Sequence, residues 1–287
     1  MSVMTKPHAE PPLWLGTIFD RIVCGVDGTE SSRTAVVQAN RLLAARRMLE
    51  LVSVVEETSA AWSGLSAPSD IDRQREEAQS ALRKGRDQCH GARAALLVGD
   101  PGPKLVSAAH EVDATLVVIG APASGRLGAF VLGSAGTYVL HNAPCSVLIA
   151  RRPADEDAFP RSIVVGHDGS PAATAAASVA KEIALRFGAA LRIVVATGGD
   201  PVHFDSLPPD EELAWSSARP IDALEAASDH ADLLVVGSSG SRSPRALGSV
   251  SERIGHLAGC SVLVVREPPR DSGVEPEIAD EVPDPEC

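Results

Sequence analysis

The sequence predicts an α/β chain built from two tandem copies of one domain. Each copy is an open parallel sheet of five strands with helices on both faces, and the second is shortened. Short apolar runs alternate with helix-forming stretches, the pattern of a parallel sheet covered on both faces. Three blocks also recur in the same order. Arg21-Ile-Val-Cys-Gly-Val-Asp27-Gly28 returns as Ser162-Ile-Val-Val-Gly-His-Asp168-Gly169, and Asp113-Ala-Thr-Leu-Val-Val-Ile-Gly120 as Ala231-Asp-Leu-Leu-Val-Val-Gly237. Gly133-Ser134, with Cys145-Ser-Val-Leu-Ile149 following, returns as Gly248-Ser249 with Cys260-Ser-Val-Leu-Val264 following at the same distance. The order of these blocks divides the chain into residues 18–152, 160–266 and a tail, 267–287.

In the first copy, Arg21 to Val26 is a short apolar run ended by Asp-Gly, hence a buried strand. Thr29 caps a helix predicted to run to Arg46, with small or apolar residues at Ala35, Val36, Ala39, Leu42 and Leu43. Leu49 to Val55 is the second strand and Asp70 to Gln88 a charged, weakly amphipathic helix. Ala94 to Val98 is the third strand, and Pro103 to Glu111 a helix with proline in its first turn. Leu116 to Ile119, a helix from Ser134 to His141, and Ser146 to Ile149 complete the copy. Arg151 to Arg161, with two prolines and three acids, reads as a solvated linker.

The second copy keeps the end of the first helix, Glu182 to Phe187, and a strand from Leu191 to Ala196. Gly28 to Gly120 is 92 positions whereas Gly169 to Gly237 is 68, and the shortfall lies between the second and fourth strands. The Gly-, Pro- and Asp-rich stretch from Thr197 to Pro209 is expected to replace the middle helix, leaving a poor third strand within Glu212 to Ser217.

Composition narrows the function. Of 287 residues, 26 are Lys or Arg and 38 Asp or Glu, for a net charge of −12. Such an acidic chain is a poor nucleic-acid binder, because phosphate neutralisation requires clustered basic residues. The tail from Glu267 carries eight of the acids and five prolines and reads as disordered. No apolar run approaches the roughly 18 residues of a membrane span, and Met1 to Asp20 shows no apolar signal-peptide segment, so a cytoplasmic protein is expected. The five cysteines (Cys24, Cys89, Cys145, Cys260, Cys287) show no metal or redox spacing and read as small buried hydrophobes, except Cys287 at the tail tip. The eight histidines show no ligand spacing and read as surface or capping groups. No Walker A lysine, no third glycine of a dinucleotide fingerprint after Gly25-Val-Asp-Gly28, no nucleophile elbow and no acid/base pair is present. No catalytic residue and no metal site is assigned.

Ligands of open parallel sheets bind beyond the carboxyl ends of the strands, where strand order reverses. Four features converge there: Asp27 and Asp168 after the first strands, Gly120 and Gly237 after the fourth, Gly133-Ser134 and Gly248-Ser249 opening the next helices, and glycine-rich loops between them. Glycines let the backbone approach a ligand or take a positive φ, and a helix N-terminus offers bare N–H donors to a phosphate. The same glycines also serve as tight turns, and the serines as helix caps, without any ligand.

These residues resemble the universal stress protein family in its tandem-domain form. The resemblance rests on the three ordered blocks, on Gly248-Ser-Val-Ser-Glu-Arg253 with Cys260-Ser-Val-Leu-Val264, and on the opening Val26-Asp-Gly-Thr-Glu-Ser-Ser32. It implies a Rossmann-like, adenine nucleotide alpha hydrolase-like fold that binds ATP, with or without Mg. It further implies that Asp27 with Val54, and Asp168 with Ala196, hold adenosine, and that Gly120, Gly133 and Ser134, and Gly237, Gly240, Gly248 and Ser249, hold phosphate. The family's ATP-binding members carry Gly, two residues, Gly, nine residues, Gly and Ser or Thr. Here Ala123 replaces the middle glycine of the first copy, and seven residues separate Gly240 from Gly248 in the second. Arg126, Arg242 and Arg245 lie within these loops. The family's fifth strands pair across dimers, so Ser146 to Ile149 and Ser261 to Val265 are expected to pair within the chain as a pseudo-dimer, with a homodimer of whole chains left open. The expected function is stress-response regulation by adenine-nucleotide binding without efficient turnover. The alternative is a non-binding scaffold with degenerate sites.

Overall fold

The computed structural model describes residues 19–44, 47–56, 68–121, 132–153, 155–198, 213–238 and 247–266. The elements of the first copy are β1 (Arg21–Gly25), α1 (Glu30–Leu42), β2 (Met48–Val55), α2 (Pro68–Gln88), β3 (Arg93–Val98), α3 (Pro101–Glu111), β4 (Leu116–Gly120), α4 (Ser134–Asn142) and β5 (Ser146–Ala150). A single 3₁₀ turn, Glu156–Ala158, lies in the connection. The second copy follows as β6 (Ser162–Gly166), α5 (Pro171–Phe187), β7 (Ala190–Ala196), β8 (Leu213–Ser216), α6 (Pro220–Ser228), β9 (Leu233–Gly237), α7 (Ser249–Leu257) and β10 (Ser261–Val265).

The strands form one sheet in the order β3-β2-β1-β4-β5-β10-β9-β6-β7-β8. Within each copy the pairs are parallel, and the copies join through antiparallel pairing of β5 with β10, Val262 opposite Ile149 and Val264 opposite Val147. The two edges expected to meet do meet, and neither is left as a template for aggregation. Alternate strand residues point to opposite faces. Ile22, Cys24, Leu51 and Val118 pack beneath α1, α2 and α5. Val23, Val117, Val147 and Val262 pack beneath α3, α4, α6 and α7. Each apolar layer runs unbroken through both copies. This is why strands buried on both sides read as continuous apolar runs.

Most predicted elements shift only at their ends. The first helix stops at Leu42 rather than Arg46, and α3 begins at Pro101 rather than Pro103. The poor third strand is β8, four residues paired in parallel with β7. The expected loss of the middle helix concerns residues 199–212, which lie outside the described residues, as does the tail from residue 267. The linker departs from its solvated reading. Phe159 is fully buried in the layer under α1 and α5, its carbonyl accepting from Arg41 Nε at 2.8 Å, and Arg151 is buried as well. A large apolar side chain in a connection gains about 1.5–3 kcal/mol by burial, enough to draw the segment inward. No described helix is long and apolar enough to cross a membrane.

Cys24, Cys89, Cys145 and Cys260 are buried free thiols, as expected. Burial pushes all four up, Cys89 to about 11 and Cys145 and Cys260 to about 12. Near pH 8 the native protein should therefore leave these four thiols unlabelled by iodoacetamide, whereas the unfolded chain should label at all of them; mass spectrometry reads the difference. The sign of the linkage follows. Above the ordinary thiol range of about 8.5 the unfolded chain releases protons that the native chain retains, so stability should fall as pH rises through this window.

Candidate functional site

The crevice of each copy forms where its central strands diverge in connection, with β1 beside β4 and β6 beside β9. The first strand of each copy ends in an Asp-Gly turn. Gly28 and Gly169 take φ of 82° and 81°, a conformation that costs a side chain roughly 1–2 kcal/mol. In the first turn, Asp27 Oδ1 accepts from Thr29 N at 2.9 Å and from Thr29 Oγ1 at 2.6 Å. In the second, Asp168 Oδ1 accepts from Ser170 N at 3.0 Å. Thr29 and Ser170 then cap α1 and α5, accepting from Ser32 N and Ala173 N.

The helices that follow the glycine-rich loops are built differently. The N-cap residues of α4 and α7 are Gly133 and Gly248, which carry no capping side chain. Their first-turn amides lack intrahelical partners and carry the partial positive charge of the helix end. Gly133 and Gly248 have φ of −60° and −73°, so positive φ is not the reason for glycine here. A β-carbon at Gly133 would have no neighbour within 4 Å.

Gly120 and Gly237 have a packing reason of their own. A β-carbon at Gly120 would lie 2.4 Å from the carbonyl carbon and oxygen of Ser31, and one at Gly237 would lie 2.5 Å from those of Ala172. The first turn of α1 or α5 rests directly on the end of the fourth strand, and only glycine leaves room. This contact fixes the Asp-Gly turn against the strand end and sets the width of the crevice.

In the second copy the candidate residues meet. Asp168, Ala196, Gly237, Gly248 and Ser249 line one cavity of ≈ 220 Å³. Its apolar wall includes Val194, Val236 and Leu224. Ser251, Leu224 and His167 are contributors that the sequence does not single out. Ser251 is buried and its Oγ donates to Gly237 O at 2.5 Å, tying α7 to the end of β9. Leu224 of α6 presses on Gly166, as Leu105 of α3 presses on Gly25 in the first copy. His167 lines the cavity and is 3% exposed, contrary to the expectation that the histidines sit at the surface or on caps. The position of Ser251, three residues after Gly248, and the alignment of Leu224 with Leu105 were the available signals.

In the first copy Asp27, Val54, Gly120, Gly133 and Ser134 occupy the equivalent places, but the cavity of ≈ 770 Å³ found there lies between α1 and α2 and is lined by none of them. Val54 is half-buried, one residue short of the end of β2. Gly240, Ala123 and the loop arginines lie outside the described residues. Among the described residues no three His, Cys, Asp or Glu side chains gather as metal ligands.

The two sites are tied together at the far ends of their helices. Arg266, after β10, donates from Nη1 to Ala143 O and from Nη2 to Leu140 O at the C-terminal end of α4. Arg151, after β5, donates from Nη1 to Cys260 O at 3.2 Å and from Nη2 to Gly255 O at 2.6 Å at the C-terminal end of α7. His141 Nε2 and Glu252 Oε1 lie 3.3 Å apart between the same two helices. Each crevice helix is thus held at its C-terminus by a guanidinium from the other copy.

The model of the universal stress protein family matches residues 18–151 and 202–266. Universal stress protein Rv2005c of Mycobacterium tuberculosis is 28% identical over 289 residues, covering 86% of this chain and 97% of its own. A universal stress protein of Mycolicibacterium smegmatis is 28% identical over 285 residues, covering 85% and 96%. The crystal structure of a universal stress protein from Archaeoglobus fulgidus superposes with a TM-score of 0.66 at 19% identity, over 85% of this chain and 97% of that one, and shows the shared fold. The second matched segment begins only at residue 202, yet β6, α5 and β7 repeat the arrangement of β1, α1 and β2 before it. With two repeats in one sheet and the family model covering most of the chain, the protein belongs to the universal stress protein family.

Proposed function

We propose that the second copy binds ATP or a related adenine nucleotide in the cavity between Asp168 and the N-terminus of α7, and that the protein acts in stress response through occupancy of this site rather than through turnover. One observation carries the reading: Asp168, Ala196, Gly237, Gly248 and Ser249, from four separate chain segments, line a single cavity. The chemistry of its walls fits the ligand. Glycine-capped α7 directs bare amides at an anion, and charge-assisted bonds of this kind are worth about 1.5–3 kcal/mol each. Val194, Ala196 and Leu224 offer an apolar surface to a base, and Asp168 an acceptor to ribose hydroxyls. The first copy has the same capless helix at Ser134. It serves here as the weaker site, its aspartate already accepting two bonds from Thr29.

The test is equilibrium binding of ATP to the wild type and to Ser249→Asp and Ser134→Asp. Aspartate in a helix's first turn favours the helix, so both variants should fold, but its charge occupies the place of a phosphate. Ser249→Asp is expected to weaken ATP at least tenfold, about 1.4 kcal/mol, and Ser134→Asp to leave this binding in place. No saturable binding at about 1 mM ATP overturns the reading in favour of a non-binding scaffold, and an unchanged constant in Ser249→Asp overturns the placement of the site at the N-terminus of α7. Phosphate release in excess of protein overturns the absence of turnover.

A further inference from the structure

We propose that β3, a free edge of the ten-stranded sheet, is an interaction surface for a second copy of this chain, the two β3 strands pairing antiparallel about a two-fold axis at Leu96. The surface belongs to the first copy, so it stands apart from the nucleotide site proposed above in the second.

Among the described residues β3 pairs only with β2 and leaves its other side open. Gly99 N donates to Val55 O at 3.0 Å, so the odd-numbered residues turn their amides toward β2. Backbone direction alternates along a strand, and Ala94, Leu96 and Val98 therefore present N–H and C=O to the open side. Their side chains share one face of the sheet, where Leu96 packs against the apolar layer beneath α2. Ala94 is exposed and Val98 is 40% exposed. Strand edges are ordinarily guarded by charge or proline, and Ala94 to Val98 holds neither.

The ends of the strand select the partner. Arg93 opens β3 and Asp100 follows it; both are exposed, and among the described residues neither side chain has a hydrogen bond or ion pair. Asp100 is the N-cap of α3, where an aspartate ordinarily accepts from the amide of N2 or N3. Pro103 at N3 has no amide, and the carboxylate makes no capping bond. In an antiparallel pair centred on Leu96, Leu96 faces the partner's Leu96, and Ala94 faces the partner's Val98. Arg93 faces the partner's Gly99, one residue from the partner's Asp100. A positive end thus meets a negative one twice. Parallel pairing would set Arg93 against the partner's Arg93, so the charges select the antiparallel arrangement. The edge is complementary to itself, as a two-fold dimer requires.

The molecule holds one junction of this kind within itself. β5 and β10 pair antiparallel with Leu148 opposite Leu263, its counterpart in the repeat, flanked by Val147 opposite Val264 and Ile149 opposite Val262. The other free edge, β8, spans only four residues. There Arg219 stands before Pro220 as Asp100 stands before Pro101, and it already donates to Asp222 at 2.8 Å. That edge has no acid at the place of Asp100.

Sedimentation equilibrium of the full chain is the test. At about 50 μM the wild type is expected to approach twice 29.8 kDa. Ala94→Lys/Val98→Lys sets lysines face to face at two places across the seam, at positions already exposed in one chain, and should weaken the dimer about a hundredfold. Arg93→Asp and Asp100→Arg should each weaken it about tenfold, and the two together should restore it. The fold accepts arginine before the helix-opening proline, since Arg219 has that place in the second copy. Circular dichroism verifies the fold of each variant, and if the lysines disturb it, the charge reversals decide. A wild type that stays at 29.8 kDa overturns the proposal and leaves the edge to a strand of some other protein. Species larger than a dimer overturn it in favour of head-to-tail pairing of β3 with β8. A dimer indifferent to the lysines lies on another surface, and a double reversal that fails to restore association overturns the antiparallel register.

Discussion

Replacing Gly120 or Gly237 by alanine is expected to cost about 3 kcal/mol or more of folding stability, the upper range for a single added methyl group. The reason is the partner of the clash. At Gly120 the added carbon would meet the backbone of Ser31 at 2.4 Å and Ser32 N at 2.7 Å, and at Gly237 it would meet the backbone of Ala172 at 2.5 Å. A flexible side chain could turn aside, but these atoms belong to the first turns of α1 and α5, which are held by the caps of Thr29 and Ser170 and by packing on the sheet. Relief requires the helix to lift from the strand, which also opens the crevice. The contrast is Gly133→Ala, where a β-carbon meets nothing within 4 Å and φ is −60°. That substitution should stay within about 1 kcal/mol. Urea unfolding of the three variants checks the ordering, and equal midpoints for Gly120→Ala and Gly133→Ala would refute the packing account. It follows that these two glycines are poor positions for probing ligand binding, since loss of fold would imitate loss of site.

The second large effect is expected at the arginines that cross between copies. Arg151→Ala and Arg266→Ala should each destabilise the protein by about 2–4 kcal/mol. Burial pulls the Arg151 guanidinium down to about 10, and lowers that of Arg266 as well, so each charge is costly where it stands. What offsets this cost is the set of carbonyls they satisfy. Arg151 donates to Gly255 O in the last turn of α7 and to Cys260 O just before β10, and Arg266 to Leu140 O and Ala143 O at the end of α4, where helix-end carbonyls lack intrahelical partners. Truncation strands those buried acceptors and leaves a void. The backbone beside them is committed too: Arg151 N donates to Ser261 Oγ at 3.0 Å, Ser261 Oγ bonds Gln38 Oε1 at 2.9 Å, and Gln38 Nε2 donates to Arg151 O at 2.8 Å. Lysine should not rescue either position, because one ammonium cannot fork to two carbonyls as a guanidinium does. Chemical denaturation with a fluorescence readout measures the loss. The double variant should lose less than the sum of the two, since both arginines stabilise one seam; full additivity would mean that the copies are held independently.

The repeat was legible because it is written in local patterns. Arg21 to Asp27 and Ser162 to Asp168 announce a buried strand ending in a turn wherever they occur, and β1 and β6 form there. The pairing of the fifth strands followed from the family resemblance. Of the candidate site, the sequence points to Asp168, Ala196, Gly237, Gly248 and Ser249, which the cavity brings together, but not to Ser251, Leu224 or His167. Ser251 went unnoticed because serine in a first turn usually caps its own helix, whereas here it reaches back to Gly237. His167 went unnoticed because a histidine beside an aspartate in a turn looks solvent-facing, and nothing local reveals that it closes on Gly169.

The sequence by itself determined the two copies, their strands and helices, and the edge of the sheet where a ligand would lie, because each depends on the order of neighbouring residues. Tertiary structure alone decided why Gly120 and Gly237 must be glycine, which helix ends Arg151 and Arg266 close, and that the linker's Phe159 lies inside. Those features rest on contacts between residues far apart in the chain, such as Arg151 with Gly255, 104 positions away. Distances of that kind are set by how whole layers pack, and no local pattern encodes them.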